Sequence, residues 1–261
     1  MTSALLLRGM LAGVLAGFLS FCFASLVTEP LIEQAIALES GAVADAHHSP
    51  ANAAAADLIA PVHVHDHGTE VDRHTQSGAG LLTGLVVLGA AVGGLFALVY
   101  AFCIGRVGPT DTRQLALRIA AAGFISLVLI PALKYPANPP GVGSADTIGF
   151  RTSLFFSLIV LSILVTAAAV QLNRRLAQGR DAFNAGAISA MVYLAVMATL
   201  LAALPSYDEA PHEYPASLLW HYRLASIGTQ GMLWLSLGLT FAISAYRLNT
   251  QRIQSLSLKA T

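Results

Sequence analysis

Charged residues are scarce in this sequence. Lys, Arg, Asp and Glu make up 11% of its 261 residues, against about 25% in soluble domains. This composition excludes a disordered chain and an ordinary soluble domain. The 14 basic and 14 acidic residues cancel, which leaves no basic excess to bind nucleic acid. Two cysteines, Cys22 and Cys103, are too few for a disulfide framework or a four-cysteine metal site.

Several catalytic motifs are missing as well. The P-loop pattern GxxxxGK[ST] does not occur, so ATP coupling would require another chain. HExxH is absent, and His65 directly precedes Asp66, which departs from HxHxDH; two common hydrolytic metal motifs are therefore excluded. No carboxylate lies in the middle of an apolar stretch, which disfavours a proton relay of the usual kind. We expect neither an enzyme nor a tightly bound cofactor.

The sequence does have long apolar runs. Residues of the types AVILMFWYC make up 56% of the chain, and six runs reach the roughly 20 residues that span about 30 Å of hydrocarbon as a helix. Gly9, Gly13 and Gly17 recur at four-residue spacing, and the second run contains Gly84, Gly89, Gly93 and Gly94; such small residues predict close helix packing. We predict an all-α integral membrane protein, a single membrane domain with helices at 5–28, 80–104, 114–133, 152–173, 184–204 and 218–246.

The first apolar run has an alternative interpretation. Arg8 followed by an apolar run and small residues also resembles a secretory signal peptide. The run is longer than the apolar region of a typical signal peptide. We therefore interpret it as an uncleaved first span.

The basic residues are distributed unevenly between the two sides of the membrane. If the N-terminus is cytoplasmic, ten of the 14 Lys and Arg lie inside, together with two of the 14 acidic residues, and all 8 histidines lie outside. This distribution satisfies the positive-inside rule. It predicts a multi-pass protein of the inner (cytoplasmic) membrane with both termini in the cytoplasm. An outer face rich in carboxylate and imidazole concentrates cations.

The outer segment 29–78 contains the densest set of metal-binding side chains. Its start predicts a short helix that continues from the first span, with Glu29 and Glu33 on one face; from Gly41 onward we expect a flexible, irregular chain. Neutral imidazole binds first-row transition metals, and alternate residues of an extended chain share a face. The alternative is a solvated loop without a metal. The predicted metal ligands are His47, His48, His63, His65, Asp66, His67 and His74.

Two further outer loops lie at 134–151 and 205–217. The first contains three prolines and three glycines between Lys134 and Arg151, which exclude a helix and stiffen the loop. We expect it to hold Lys134, Tyr135 and Asn138 at the outer mouth, although Lys134 has Asp146 or a glutamate as alternative partners. The second loop is acidic and contains no basic residue.

The last span carries polar groups near its outer end. His221, Arg223 and Gln230 are functional candidates, because ionisable residues at membrane depth usually have a role. His221 has the alternative of snorkelling to the interface. For Arg223 we expect a structural ion pair with Glu29, Glu33 or Glu213. The predicted transport path or entrance comprises Glu29, Glu33, Lys134, Tyr135, Asn138, His221, Arg223 and Gln230.

Four stretches of the chain resemble the CbtA family of probable cobalt transporter subunits. They are EPLIEQAIALE at 29–39, VDRHTQ at 71–76, LKYPANPPGVGSADTIGFRT at 133–152 and PASLLWHYRLASIGTQ at 215–230. The resemblance implies uptake of Co²⁺ for cobalamin synthesis and a small one-helix CbtB-like companion, and it implies about five spans instead of six. It also singles out Glu29, Glu33, Arg73, Gln76, Lys134, Tyr135, Asn138, Arg223 and Gln230.

Two other functions stay open alongside metal uptake. A membrane metal sensor or scaffold would bind the ion without conducting it. An intramembrane metalloenzyme would need ligands fixed by helices or strands and an open coordination position, whereas four of the histidines lie on one loop. Ligand type does not distinguish cobalt from nickel or zinc.

Overall fold

The computed structural model describes residues 2–48, 72–107, 111–143, 146–207 and 214–260, and all regular elements in these ranges are helical. Six of the helices are long and apolar enough to cross a membrane. For the described residues this confirms the prediction of an all-helical protein with six apolar helices. We number them α1 (Ser3–Ser40), α2 (Arg73–Cys103), α3 (Thr112–Lys134), α4 (Ile148–Leu176), α5 (Ala182–Ala203) and α6 (Ala216–Leu248).

Three of these helices contain a wider π-helical segment. The segments are Ala24–Thr28 in α1, Gln76–Gly80 in α2 and Ile125–Leu129 in α3. Beyond its π segment α1 continues as one α-helix over Glu29–His48, and α6 extends to Ala260. The chain from Gly41 to His48 is therefore helical, which differs from the expected irregular segment. Its alanines are the best helix formers and do not require an apolar period to be helical.

Helices α1 and α2 pack antiparallel with their backbones in contact at glycines. A Cβ atom at Gly13 would lie 1.9 Å from the carbonyl oxygen of Gly89, and one at Gly93 would lie 2.1 Å from that of Gly9. A side chain at either position would force the two helices apart. This confirms the close packing predicted from the spacing of these glycines. Gly84 differs from them, because a Cβ atom there meets nothing within 4 Å.

Helix α6 packs against both α1 and α3 and closes the core. The buried ring of Phe241 meets Phe96 and Tyr100 edge to face, with centroids 5.1 Å and 5.0 Å apart, a favourable geometry for aromatic pairs. Trp234 lies so close to α3 that a Cβ atom at Gly123 would be 2.2 Å from its ring. Helices α4 and α5 pack on each other and join this core mainly through the second half of α3.

Contacts between helix termini define two ends of the bundle. At one end Arg8 donates to the carbonyl oxygen of Ser244 at 2.7 Å, and the Arg113 guanidinium lies 3.6 Å from the centroid of the Tyr246 ring. At the opposite end of the bundle, Glu29 of α1 forms an ion pair with Arg73 of α2. We call these the Arg8 end and the Glu29 end. Successive helices run in opposite directions between them.

Candidate functional site

An ion pair joins α1 and α2 at the Glu29 end. The carboxylate of Glu29 accepts a hydrogen bond from Nη2 of Arg73. Among the residues that the structure describes, Glu29 is the single buried carboxylate, with 8% of its surface exposed. Partial removal from water strengthens the attraction between the two charges. Glu29 therefore ties two helices together, and its charge is balanced by Arg73.

Hydroxyl groups connect α1 to α6 on the side of this ion pair that faces the Arg8 end. Oγ1 of Thr28 and Oγ1 of Thr229 share a hydrogen bond of 3.0 Å, and Oγ of Ser20 donates to the carbonyl oxygen of Thr229 at 3.3 Å. Hydrogen bonds of this kind hold helices together in an apolar environment. They fix α6 against α1 beside Gln230, which follows Thr229 in the chain.

Among the described residues, the hydrogen-bond partner of Arg223 is an amide. Its Nη2 donates to Oδ1 of Asn138 at 3.1 Å. The expected pairing with Glu29 is wrong, because α2 packs directly on α1 and supplies Arg73 as the partner of that carboxylate. The second candidate partner, Glu33, is exposed, and the third, Glu213, lies outside the described residues. Arg223 instead ties α6 to the loop that follows α3.

That loop, residues 135–143, is non-helical and is anchored to the chain after α5. Nζ of Lys134 donates to Oγ of Ser206 at 2.7 Å, so in the structure Lys134 binds a hydroxyl group. The phenol of Tyr135 donates to the carbonyl oxygen of Pro205 at 2.9 Å. Burial, and secondarily Tyr207, raises the pKa of Tyr135 above its ordinary value. The phenol is therefore a neutral donor at physiological pH.

Two glycines let the loop turn back over the bundle. Gly141 and Gly143 have φ angles of 77° and 122°, which side chains disfavour. A Cβ atom at Gly143 would lie 2.8 Å from the guanidinium of Arg151, and one at Gly141 would lie 3.4 Å from the carboxyl carbon of Glu39. The loop thus lies between the first turn of α4 and the outer part of α1.

A cavity of about 650 Å³ lies beneath this loop. Its walls come from α2, α3, α4 and α6, and its floor includes the apolar side chains of Leu127, Phe155, Leu233 and Trp234. From Arg223 to Trp234 it follows α6 for about 16 Å, at about 1.5 Å per residue. Its polar lining residues are Tyr135, Asn138, Arg151, Thr152, Tyr207, Arg223, Ser226 and Gln230.

The structure brings together half of the predicted transport residues. Tyr135, Asn138, Arg223 and Gln230 all line the cavity, and Lys134 anchors the loop beside it. Their role in transport stays a prediction. The remaining three lie elsewhere, with Glu29 in the ion pair with Arg73 and Glu33 and His221 exposed.

The predicted metal ligands are not gathered in the described part of the chain. His74 is exposed on the first turn of α2, and His47 and His48 end the helix Glu29–His48. Among the described residues no group of three or more His, Cys, Asp or Glu side chains is placed to hold a metal ion. The other four predicted ligands lie outside the described residues; they are His63, His65, Asp66 and His67.

Several cavity residues were not singled out in the sequence, among them Arg151, Tyr207 and Trp234. Arg151 lies in the first turn of α4, and a basic residue at the start of an apolar run was a usable signal. Tyr207 and Trp234 gave no such signal, because their position on the cavity wall depends on how α3, α4 and α6 pack.

Comparison with known proteins identifies the family of this chain. No curated protein matches the chain, and no solved structure does. The family described as probable cobalt transporter subunit (CbtA) matches residues 2–246, a range that includes α1 to α5 and nearly all of α6. Because the match extends over almost the whole sequence, the chain belongs to the CbtA family of probable cobalt transporter subunits.

Proposed function

We propose that this chain is the membrane subunit of a transporter that takes up Co²⁺ through the cytoplasmic membrane and supplies it for cobalamin synthesis. The observation that carries the proposal is membership of the CbtA family over residues 2–246. Six helices able to cross a membrane support it, because a multi-pass bundle is what a polar ion requires to cross a lipid bilayer. The ion is the cargo of the protein and not a resident cofactor.

The proposed direction of transport is inward. Arg8 and Arg113 lie at the Arg8 end, as does the turn between α4 and α5 with Arg174, Arg175 and Arg180, whereas Glu29 lies at the opposite end. The positive-inside rule then favours a cytoplasmic Arg8 end. A membrane potential that is negative inside drives a divalent cation inward by about 4.6 kcal/mol per 100 mV, since each elementary charge contributes about 2.3 kcal/mol.

Histidines of the first outer segment, together with Asp66, are the proposed collectors of the ion. Imidazole has a pKa of about 6.5 and is mostly neutral at pH 7, as metal binding requires. This part of the proposal rests on the sequence, because the central histidines lie outside the described residues. The proposed collectors are His47, His48, His63, His65, Asp66, His67 and His74.

A second chain completes the proposed transporter. The word subunit in the family description supports an assembly of more than one chain. We propose a small one-helix CbtB-like companion, which the sequence resemblance implies, as the partner in the bilayer.

Uptake of radioactive cobalt tests the proposal. Cells expressing this chain with its companion should accumulate the isotope in a saturable manner, and cells lacking the chain should not.

Replacing His63, His65 and His67 together by Ala should raise the cobalt concentration for half-maximal uptake and leave the maximal rate nearly unchanged, because fewer ions are gathered. The control is Gln178→Ala, at an exposed position in the turn after α4 and outside every predicted site. A sensor or an enzyme would show no accumulation.

A further inference from the structure

In the described part of the chain, the charged side chains that line the cavity beneath the loop are basic. Among the described residues that line it, two are charged, Arg151 and Arg223, and none is Asp, Glu, His or Cys. Guanidinium groups repel a bare divalent cation. They bind carboxylate and phosphate oxygens well, because their N–H donors form a rigid planar fork. The charged lining therefore favours an anion.

Arg223 has a donor available for such an anion. While its Nη2 is bound to Asn138, its Nε is buried and makes no hydrogen bond within the described part of the chain. A buried charged donor without an acceptor is unfavourable, so it marks where an acceptor oxygen would bind. Asn138 already holds the guanidinium in place, so ligand binding immobilises little more of this side chain.

The inner part of the cavity has the opposite chemistry. Arg223, Ile227, Gln230 and Trp234 follow one another at spacings of four, three and four residues, which places them on one face of α6. The face thus changes from a guanidinium at the mouth, through an amide, to an indole ring. Phe155 of α4 adds a second aromatic wall. A ligand with an oxyanion at one end and an apolar body fits this gradient.

We propose that the cavity binds an amphiphilic anion, whose carboxylate or phosphate oxygens lie at Arg223 and Arg151 and whose apolar body packs on Trp234. This site goes beyond the proposed function and holds whether or not the chain transports cobalt. Two sources share the chemistry, the headgroup of an anionic membrane lipid and a free amphiphilic carboxylate. A bound anion would also offset the positive charge of Arg223, which a cation entering the cavity meets.

Quenching of Trp234 tests the proposal directly. The chain has two tryptophans, so Trp220→Phe, at an exposed position, leaves Trp234 as the only indole. The full-length protein is placed in phosphatidylcholine nanodiscs and titrated with brominated decanoate, and separately with brominated decanol as the uncharged analogue. Saturable quenching by decanoate at much lower concentration than by decanol is expected. Equal quenching by both would overturn the proposal.

Substitution of each arginine tests whether Arg223 and Arg151 bind the decanoate. Arg223→Gln should raise the half-saturating decanoate concentration at least about tenfold, as expected for the loss of a hydrogen bond to a charged group. Arg151→Gln should also weaken binding and leaves the bond between Arg223 and Asn138 in place, so it serves if Arg223→Gln fails to fold. Arg118→Gln, at an exposed position that does not line the cavity, should have no effect. Unchanged binding in both cavity variants would overturn the proposal.

A third arm distinguishes the two sources of the anion. The decanoate titration is repeated in nanodiscs that contain phosphatidylglycerol. A severalfold higher half-saturating concentration would support the site with a lipid headgroup as its occupant, because the lipid competes. An unchanged value, with the dependence on both arginines retained, would support the site with a free anion as its occupant.

Discussion

Replacing Glu29 by Gln should destabilise the bundle by about 2 kcal/mol. Two unit charges about 4 Å apart attract each other by ~4 kcal/mol at an effective dielectric constant of ~20. The side chain of Glu29 is 11% exposed and that of Arg73 is 39% exposed, so Arg73 regains water once its partner is neutral. The decrease in the free energy of unfolding therefore lies between the ~0–1 kcal/mol of a surface ion pair and the ~3–5 kcal/mol of a buried ion pair.

A double-mutant cycle measures this interaction without the other effects of each substitution. The free energy of unfolding in detergent micelles is determined for the native chain, Glu29→Gln, Arg73→Gln and the double variant. We expect a coupling free energy of about 1–2 kcal/mol. Glu33→Gln, at an exposed glutamate of the same helix, is the matched control and should stay within ~0.5 kcal/mol. A coupling below ~0.5 kcal/mol, or an equal loss for Glu33→Gln, would refute the reasoning.

Three further predictions follow from the packing and the loop. Gly13→Val should lower the free energy of unfolding by at least ~1–3 kcal/mol through overpacking, whereas Gly84→Val, in open space, should change it by less than ~1 kcal/mol; equal losses would contradict the backbone contact. Tyr135→Phe should cost ~1 kcal/mol for one hydrogen bond. Because the pKa of Tyr135 is raised above 10.0, the stabilisation by this hydrogen bond should be constant below pH 10 and disappear only above pH 10. Unfolding experiments in which the stabilisation is lost near neutral pH would disprove this pH dependence. Asn138→Ala should lower the maximal rate of cobalt uptake by releasing Arg223, and an unchanged rate would argue against the loop as the entrance.

The number of apolar helices was predictable because the signal is local. A helix that crosses hydrocarbon needs about 20 apolar residues in succession, and each run contains this information by itself. Close helix packing at Gly13 was predictable for a similar reason, since small residues at four-residue spacing favour close approach wherever two helices meet. Its partner Gly89 was not predicted.

The pairing of the charged groups was not predictable in the same way. Arg73 lies 44 residues after Glu29, and the choice between Arg73 and Arg223 as its partner depends on which helix packs beside α1. The bond from Arg223 to Asn138 joins residues 85 positions apart. No local pattern indicates such a pair, because its free energy depends on tertiary packing.

The cavity was predictable only in part. Tyr135, Asn138, Arg223 and Gln230 were predicted for the transport path or its entrance, and all four line the cavity. Its apolar floor required the packing of four helices to be known. The wider π-helical segments likewise left no recognisable pattern in the residues, so their positions were not expected.

The central claim is that the Glu29 end and the histidine segment face outward while the Arg8 end faces the cytoplasm. Cysteine labelling with a membrane-impermeant maleimide tests it most directly, in a background where Cys22 and Cys103 are replaced by Ser. We predict that His65→Cys is labelled in intact cells and that Gln178→Cys, in the turn after α4, is labelled only after the cells are permeabilised. Labelling of Gln178→Cys, but not of His65→Cys, in intact cells would contradict the account.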